Sequence, residues 1–257
     1  MGVSLASLVH LIRHRIVAPL LPGFVLQDIN RNDKTGVLFR AWGHVFANHL
    51  AGGYYEFGVY QGDSFRASVH AYRTIARWYR AQLRSQEGWR RTTARIALDQ
   101  SRPFYAFDTF AGMPDNDEGV AVWSPGFVAC SLGEFRRRNH QAGIVESDTI
   151  RYVEGDFADV LRNQATLLGS LVPAAIVNID CDLYKSACSA LAIIAPKLRQ
   201  GTVLLMDDWN GFHAAPDRGE RRALHEFLAQ HPDITMEPWF SYAYMGQAFL
   251  VHVRPSR

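Results

Sequence analysis

Cysteine is scarce in this sequence, and long apolar runs are lacking. The 257 residues include three cysteines, Cys130, Cys181 and Cys188, whose spacing matches neither a disulfide framework nor a C-x-x-C metal motif. Because sparse, unpaired cysteines are typical of reduced compartments, we expect a cytoplasmic protein. The sequence has no run of about 18 uncharged apolar residues, so we expect no membrane span.

A strong excess of charge is also lacking. The 27 basic and 25 acidic side chains leave a net charge of +2, so we expect no nucleic-acid partner from the overall charge. Arginines are nevertheless concentrated within residues 72–102, together with Trp78 and Trp89. For this segment three interpretations stay open: a solvated helical hairpin that extends the preceding helix, a docking surface for an acidic or phosphorylated substrate, and an RNA-binding surface.

The N-terminal residues predict two helices. Residues 3–17 are apolar but interrupted by His and Arg, and Pro19 and Pro22 end this pattern. A signal peptide is not expected, since no small-residue cleavage site follows a clean apolar core. Residues 34–50 predict the second helix, with an apolar stripe made of Leu38, Ala41, Trp42 and Val45. We expect residues 1–51 to form a helical cap that packs on the domain or on a partner subunit, in preference to a membrane surface.

Beyond residue 51, short apolar runs alternate with helical patterns. The runs predict five strands over residues 54–59, 104–107, 149–153, 174–179 and 202–206, followed by an antiparallel pair over 234–240 and 247–253. Helices are predicted over 184–198, where Pro196 breaks the last turn, and over 219–230. This order predicts an α/β fold, namely a doubly wound, Rossmann-like, seven-stranded and mainly parallel sheet with a C-terminal antiparallel hairpin and an N-terminal helical cap. We expect residues 52–257 to form this domain.

Four acidic residues follow two neighbouring apolar runs. Asp180 and Asp182 come after residues 174–179, and Asp207 and Asp208 come after 202–206. In a βαβ unit both strand ends emerge at the same edge of the sheet, where open α/β folds bind ligands. Converging carboxylates repel one another, and a bound divalent cation relieves that repulsion. Ligation by oxygen alone favours Mg²⁺, with Ca²⁺ or Mn²⁺ next, although solvated turns or helix caps would also account for single acids.

A glycine turn follows the first predicted strand. Glu56, Gly58 and Gly62 have the spacing E-x-G-x-x-x-G, which differs from the G-x-G-x-x-G of dinucleotide enzymes. Glycines let the backbone approach a ligand, and the following helix offers free N–H groups at its start. Glu56 would pair with a ligand ammonium and repel a pyrophosphate. Asp108, at the end of the second strand, is a typical partner for a ribose diol.

A segment without clear periodicity follows Asp108. Phe110 and Met113 lie at its start, where they could cover a flat base, and residues 115–130 continue it. Because loops of this length are often functional, we expect a lid or a substrate loop.

Taken together, these motifs resemble the class I S-adenosylmethionine methyltransferases, and within them the macrocin O-methyltransferase group. The resemblance covers roughly residues 52–253. Its residues are Glu56-Phe57-Gly58-Val59 with Gly62 and Ser64, Phe107-Asp108-Thr109-Phe110, Gly155 with Phe157, Asp180-Cys181-Asp182-Leu183-Tyr184 with Ser186, Asp207-Asp208-Trp209, and Gly219-Glu220. The group includes metal-dependent sugar O-methyltransferases of macrolide and aminocoumarin biosynthesis.

The resemblance implies a set of roles for matching residues. S-adenosylmethionine would be bound by Glu56, Gly58, Gly62, Ser64, Asp108 and Asp156, although relatives often carry a large aromatic residue at the last position. Mg²⁺ would be bound by Asp180, Asp207 and Asp208. Asp182 would be the general base that accepts a proton from the acceptor hydroxyl. The acceptor would be a small hydroxylated molecule, a sugar or a glycosylated natural product, and the enzyme a homodimer or a larger homo-oligomer.

Several alternatives accompany this hypothesis. The acceptor could be a catechol, a lipid-linked glycan or a peptide, and a nicotinamide-dependent oxidoreductase is a candidate from a different class. His213 is a second candidate base, with an exposed loop histidine as its other interpretation. Trp123 and Trp209 either line an acceptor pocket or belong to the core.

Overall fold

The computed structural model describes residues 22–254, except for the side chains of residues 22–29, 31 and 32. The strands are β1 (Gly53–Phe57), β2 (Phe104–Asp108), β3 (Ile150–Glu154), β4 (Ala174–Ile179), β5 (Val203–Met206), β6 (Ile234–Tyr242) and β7 (Gly246–Val253). The helices are α1 (Pro22–Ala47), α2 (Asp63–Gln82), α3 (Gly88–Leu98), α4 (Leu132–Gln141), α5 (Phe157–Asn163), α6 (Ala165–Ser170), α7 (Tyr184–Ile194) and α8 (Gly219–Gln230). No helix in this range is long and apolar enough to cross a membrane.

The strands form a single sheet with the order β3-β2-β1-β4-β5-β7-β6. Strands β1 to β5 run parallel, and β7 pairs antiparallel with both β5 and β6. The chain builds outward from β1 to β3 and then returns to the other side of β1, so the strand order reverses between β1 and β4. The prediction of a doubly wound, mainly parallel, seven-stranded sheet with a C-terminal antiparallel hairpin is confirmed.

Apolar side chains cover both faces of the sheet. In β1 the alternation of the strand sends Tyr54 into one apolar layer, with Trp42 and Phe104, and sends Phe57 into the other. A central parallel strand that is buried on both faces has a nearly continuous apolar sequence, and this explains why the strands were predictable. Glu56 is the buried exception in β1.

The register of the strands brings their carboxyl ends together. Phe57 of β1 lies opposite both Phe107 of β2 and Ile179 of β4, so the residues that follow these strands share one edge. Ile179 also lies opposite Met206 of β5, which places Asp180 and Asp207 side by side. The sheet edge predicted to bind ligands therefore carries the glycine turn and the acidic residues together.

Helix α1 departs from the predicted boundaries, because it begins at Pro22 and ends at Ala47 in place of 34–50. Pro22, which was expected to end the preceding helix, is the first described residue and is already part of α1. The predicted stripe of Leu38, Ala41, Trp42 and Val45 is buried against the sheet. The helix predicted over residues 3–17 lies outside the described residues.

The arginine-rich segment 72–102 is largely helical, and all three interpretations of its surface stay open. It comprises the end of α2 and all of α3, joined by a turn at residues 83–87. Trp78 and Trp89 are 58% and 64% exposed, so neither belongs to the core.

Candidate active site

A cavity of about 580 Å³ opens at the carboxyl ends of β1, β2 and β4, beside the point where the strand order reverses. Ligand sites in open α/β sheets have this position and this size. Among the predicted site residues, those that line it are Gly58, Ser64, Asp108, Asp156, Asp180 and Asp182. The remaining predicted residues lie outside the lining: Glu56, Gly62, Asp207 and Asp208. The structure thus places predicted cofactor-binding residues in the same cavity as Asp180, a predicted metal ligand, and Asp182, the predicted base.

Gly58 occupies a position that no other residue fits. Its φ of 84° is in the left-handed region, and a Cβ atom there would lie 2.0 Å from the carbonyl oxygen of Asp180. The backbone after β1 therefore runs directly against the backbone after β4. Gly62 precedes α2 with a φ of 82°, and a Cβ atom there would meet the ring of Phe135 at 2.7 Å. Both glycines are required by packing within the protein, before any ligand is considered.

Asp108 connects the ends of two strands. Its Oδ2 accepts the N–H groups of Val59 and Tyr60, at 2.7 and 3.1 Å, and its Oδ1 accepts the N–H of Phe110 at 2.8 Å. The carboxylate fixes the turn after β1 against the end of β2. Asp108 also lines the cavity. Its contact with a ribose stays a prediction.

Glu56 lies beneath the glycine turn. Its carboxyl group is fully buried, and it accepts hydrogen bonds from the hydroxyl of Tyr54, at 2.6 Å, and from the hydroxyl of Ser64. Burial raises the pKa of Glu56 to about 8. Ser64 lines the cavity and Glu56 does not, so this hydrogen bond connects Glu56 to the cavity wall.

Asp156 has a structural task of its own. Its Oδ1 accepts the N–H groups of Ala158 and Asp159, at 2.9 and 3.3 Å, and so caps the start of α5. The residue also lines the cavity, and its predicted contact with a cofactor stays a prediction.

The acidic cluster comprises Asp180, Asp207 and Asp208, each with one carboxylate oxygen within 4.8 Å of the others. Burial raises the pKa of Asp207 and Asp208 well above the usual range, and the neighbouring acids raise it further. The Oδ2 atom of Asp208 is buried without a hydrogen-bond partner among the described residues. Three converging carboxylates and one unpartnered oxygen fit a hard divalent cation such as Mg²⁺.

Lys34 is the main residue that sequence reasoning missed. It extends from α1 to the acidic cluster, where its Nζ lies 2.5 Å from Oδ2 of Asp207 and 3.5 Å from Oδ2 of Asp180. Burial disfavours the charged ammonium, but the charges of the nearby acids outweigh burial and raise the pKa of Lys34. No local pattern marks this lysine in the sequence, because its partners lie on distant strands.

Two further buried groups lie behind the cluster. Glu220, at the start of α8, accepts the N–H of Asp208 through Oε2 at 3.1 Å, while its Oε1 has no partner among the described residues. Burial raises the pKa of Glu220 well above its usual value. Tyr242 is buried at the end of β6, and its hydroxyl also lacks a hydrogen-bond partner within the described chain. Glu220 was part of a recognised motif, but the sequence assigned it no role.

Asp182 lies beside the acidic cluster, whose charges act on it. Its φ of 58° is in the left-handed region, and its side chain lines the cavity. Burial and then the charges of Asp180 and Asp207 raise the pKa of Asp182 to about 7. A carboxyl group with such a pKa suits proton transfer near neutral pH. Cys181 packs in the second apolar layer, as expected, and it also lines the cavity.

The loop at 115–130 contacts the edge of the site. Glu118 accepts the N–H of Tyr184 at 2.8 Å, at the first residue of α7, and Arg218 donates to the backbone carbonyl of Glu118. Lys185 pairs with Asp117 at 3.2 Å. These contacts hold the loop beside the carboxyl end of β4, the position expected of a lid.

Three other candidates, His213, Trp209 and Trp123, do not line the cavity. His213 is exposed in a turn, and the rings of Trp209 and Phe249 pack at 4.9 Å in the second apolar layer. Trp123 contacts the ring of Phe212 at 5.4 Å. Met113 does line the cavity, whereas Phe110 is buried.

Comparison with known protein sequences gives a family and two curated relatives. The family model for macrocin-O-methyltransferase (TylF) matches residues 91–238. A Streptomyces olivaceus protein, 8-demethyl-8-(2,3-dimethoxy-alpha-L-rhamnosyl)-tetracenomycin-C 4'-O-methyltransferase, is 30% identical over 127 residues, which is 46% of this chain and 46% of that protein. Demethyldecarbamoylnovobiocin O-methyltransferase from Streptomyces niveus is 26% identical over 117 residues, or 43% of each chain. The chain therefore matches just under half the length of these curated relatives.

Comparison with solved structures agrees on the fold. The O-methyltransferase NovP superposes with a TM-score of 0.62 at 20% identity, covering 86% of this chain and 80% of its own. The calicheamicin methyltransferase CalS11 superposes with a TM-score of 0.56 at 18% identity, covering 97% and 94%. At these identities the likeness concerns the fold alone.

Proposed function

Because the chain belongs to the macrocin O-methyltransferase family, as its motifs predicted, we propose that it transfers a methyl group from S-adenosylmethionine to a hydroxyl of a sugar or of a glycosylated natural product. One observation carries the proposal. A single cavity is lined by the glycine turn and Asp108 on one side and by Asp180 and Asp182 on the other. A cofactor and an acceptor bound in this cavity would therefore lie next to each other.

The turn after β1 is the proposed cofactor site. When bound there, S-adenosylmethionine supplies a methyl group activated by its sulfonium charge. Gly58 exposes backbone to the cavity, Asp108 offers carboxylate oxygens to hydroxyl groups, and Ser64 connects the cavity to the buried Glu56. Burial favours the protonated form of Glu56, and a positively charged ligand group nearby would favour its ionised form, which attracts that group more strongly than a solvated acid would.

The acids after β4 and β5 are the proposed acceptor side. Asp180, Asp207 and Asp208 would hold a divalent metal, whose positive charge lowers the pKa of a nearby hydroxyl. Asp182 would accept the hydroxyl proton, and base catalysis of this kind is typically worth about 10²- to 10⁴-fold. The loop that carries Glu118 would exclude water from the cavity.

The proposed acceptor class follows the curated relatives, whose names denote O-methylation of a rhamnosyl-tetracenomycin and of demethyldecarbamoylnovobiocin. A catechol, a lipid-linked glycan or a peptide is the alternative acceptor. The nicotinamide-dependent alternative is disfavoured by the family membership and by the E-x-G-x-x-x-G turn.

Radiolabelled methyl transfer to glycosides, catechols and peptides, with and without EDTA, tests the proposal. We expect label in glycosides, with transfer lost in EDTA and restored by Mg²⁺. Label only in catechols or peptides would replace the acceptor class. Calorimetry should detect binding of S-adenosylmethionine and none of NAD, and the reverse result would refute the methyltransferase proposal.

Three further features stay predictions. They are the homo-oligomeric state, the cytoplasmic location, and the division into a cap over 1–51 and a domain over 52–257. Light scattering measures the first, cell fractionation the second and limited proteolysis the third.

A further inference from the structure

We propose that Lys34 is an internal cation of the acidic cluster and that it competes with a divalent metal for Asp207. The inference rests on the metal site of the proposed function, and it concerns a residue that no matching motif includes. It assigns Lys34 a regulating role in metal affinity, with no part in the transfer step itself.

The position of Lys34 is fixed by the helix that carries it. Lys34 and Leu38 are four residues apart in α1, so they share one face of the helix, and both line the cavity. Leu38 and Trp42 are buried and anchor α1 to the sheet. The Lys34 side chain is only 29% exposed and that of Asp207 only 10%, which separates this ion pair from the mobile pairs of the protein surface.

The cluster carries more negative charge than Lys34 neutralises, so a second cation could bind there. When ionised, Asp180, Asp207 and Asp208 carry three negative charges, and Lys34 neutralises one of them. Its ammonium contacts Asp207 and Asp180, whereas Oδ2 of Asp208 and Oε1 of Glu220 remain without a donor among the described residues. Lys34 therefore satisfies one side of the cluster and leaves the other side unsatisfied.

A metal and the ammonium cannot share Asp207 without cost. A metal that binds an oxygen of Asp207 would lie beside Nζ of Lys34, and two positive charges at one carboxylate repel each other. Binding of the metal thus favours displacement of the ammonium from Asp207. The pairing lowers the affinity for metal and stabilises the cluster while no metal is bound.

Isothermal titration with Mg²⁺ tests the competition. Lys34→Met keeps the apolar part of the side chain and removes the charge, and we expect its Kd for Mg²⁺ to fall by about tenfold or more relative to the wild type. Lys197→Met is the matched control, because Nζ of Lys197 is part-buried but donates to the carbonyl of Leu171 and has no carboxylate partner among the described residues. The control should bind Mg²⁺ like the wild type. Equal affinities of Lys34→Met and the wild type would overturn the inference.

Lysine acylation followed by mass spectrometry provides a second readout on the unmutated protein. The sequence contains only three lysines, Lys34, Lys185 and Lys197, so each site is resolved. Saturating Mg²⁺ should raise the acylation of Lys34 several-fold and leave Lys197 unchanged. Metal binding without a change at Lys34 would contradict displacement. This measurement also serves if Lys34→Met fails to fold, and Lys34→Gln is the second variant.

The outcomes separate this inference from the proposed function. Wild-type protein that binds both S-adenosylmethionine and Mg²⁺, with no effect of Lys34→Met, refutes the inference alone. Protein that binds no S-adenosylmethionine but shows the affinity difference refutes the proposed function alone. If neither wild type nor Lys34→Met binds Mg²⁺, the metal site and the competition both fail.

Discussion

The buried carboxyl group of Glu56 makes the stability of the fold depend on pH. Its pKa is about 8 in the folded protein, against a usual value near 4.5. Below the usual value the group is protonated in both states. As pH rises from there towards 8, the unfolded chain releases the proton and the folded protein retains it, so stability falls through this window. Above about 8 the loss is complete.

The size of the effect follows from the shift. At about 1.4 kcal/mol for each pKa unit, the full loss is on the order of 5 kcal/mol, which is comparable with the whole stability of a typical domain. Glu56→Gln removes the titration but keeps an oxygen that can accept from Tyr54 and Ser64. We therefore expect the free energy of unfolding of the variant to depend less on pH than that of the wild type. Relative to the wild type, it should rise steadily from pH 5 to pH 8.

Urea unfolding at several pH values measures this difference. Because Asp182 and the acidic cluster also titrate, the informative quantity is the stability of Glu56→Gln minus that of the wild type at each pH. Glu87→Gln, which makes the same substitution at an exposed position before α3, is the matched control. A constant difference between Glu56→Gln and the wild type across pH 5 to 8 would refute the reasoning. If Glu56 pairs with the cofactor ammonium, saturating S-adenosylmethionine should flatten the wild-type profile as well.

Three other predictions concern the site. EDTA should abolish turnover and Mg²⁺ restore it, and Asp207→Ala should lose the response to metal in an assay of methyl transfer; full activity in EDTA would exclude the metal role. Asp182→Asn should lower kcat by about 10²- to 10⁴-fold with cofactor affinity by calorimetry unchanged, and an active variant would require another base. Gly58→Ala should destabilise the protein by more than about 2 kcal/mol, since its Cβ would meet the Asp180 carbonyl. Gly133→Ala, with open space around it, should be neutral or stabilising in the same thermal unfolding experiment.

Most of the fold was predictable from the sequence because its central strands are short and apolar on both faces. The run at 174–179 coincides with β4, and the pattern at 219–230 coincides with α8. That α1 already includes Pro22 was not predictable, since a proline after a helical pattern is typical of the end of a helix.

The site was predictable in part. The acids at the ends of β4 and β5 are marked by their position after apolar runs, and the register of those strands brings Asp180 beside Asp207. Lys34 was not predictable, since its ion pair depends on how α1 crosses the sheet edge. The sequence explained the glycine turn by the close approach of a ligand. In the structure, Gly58 is already required because a Cβ atom there would collide with the backbone carbonyl of Asp180.

The strand order has a consequence for synthesis of the chain. β1 is made early, but its partner on one side, β4, is made only after β2 and β3. Until residues 174–179 leave the ribosome, one edge of β1 is an unpaired and apolar strand, the kind of edge to which other chains add. Fragments that end before β4 should therefore aggregate, and they lack the side of the cavity that carries Asp180 and Asp182. A nascent chain of this protein needs protection for most of its length.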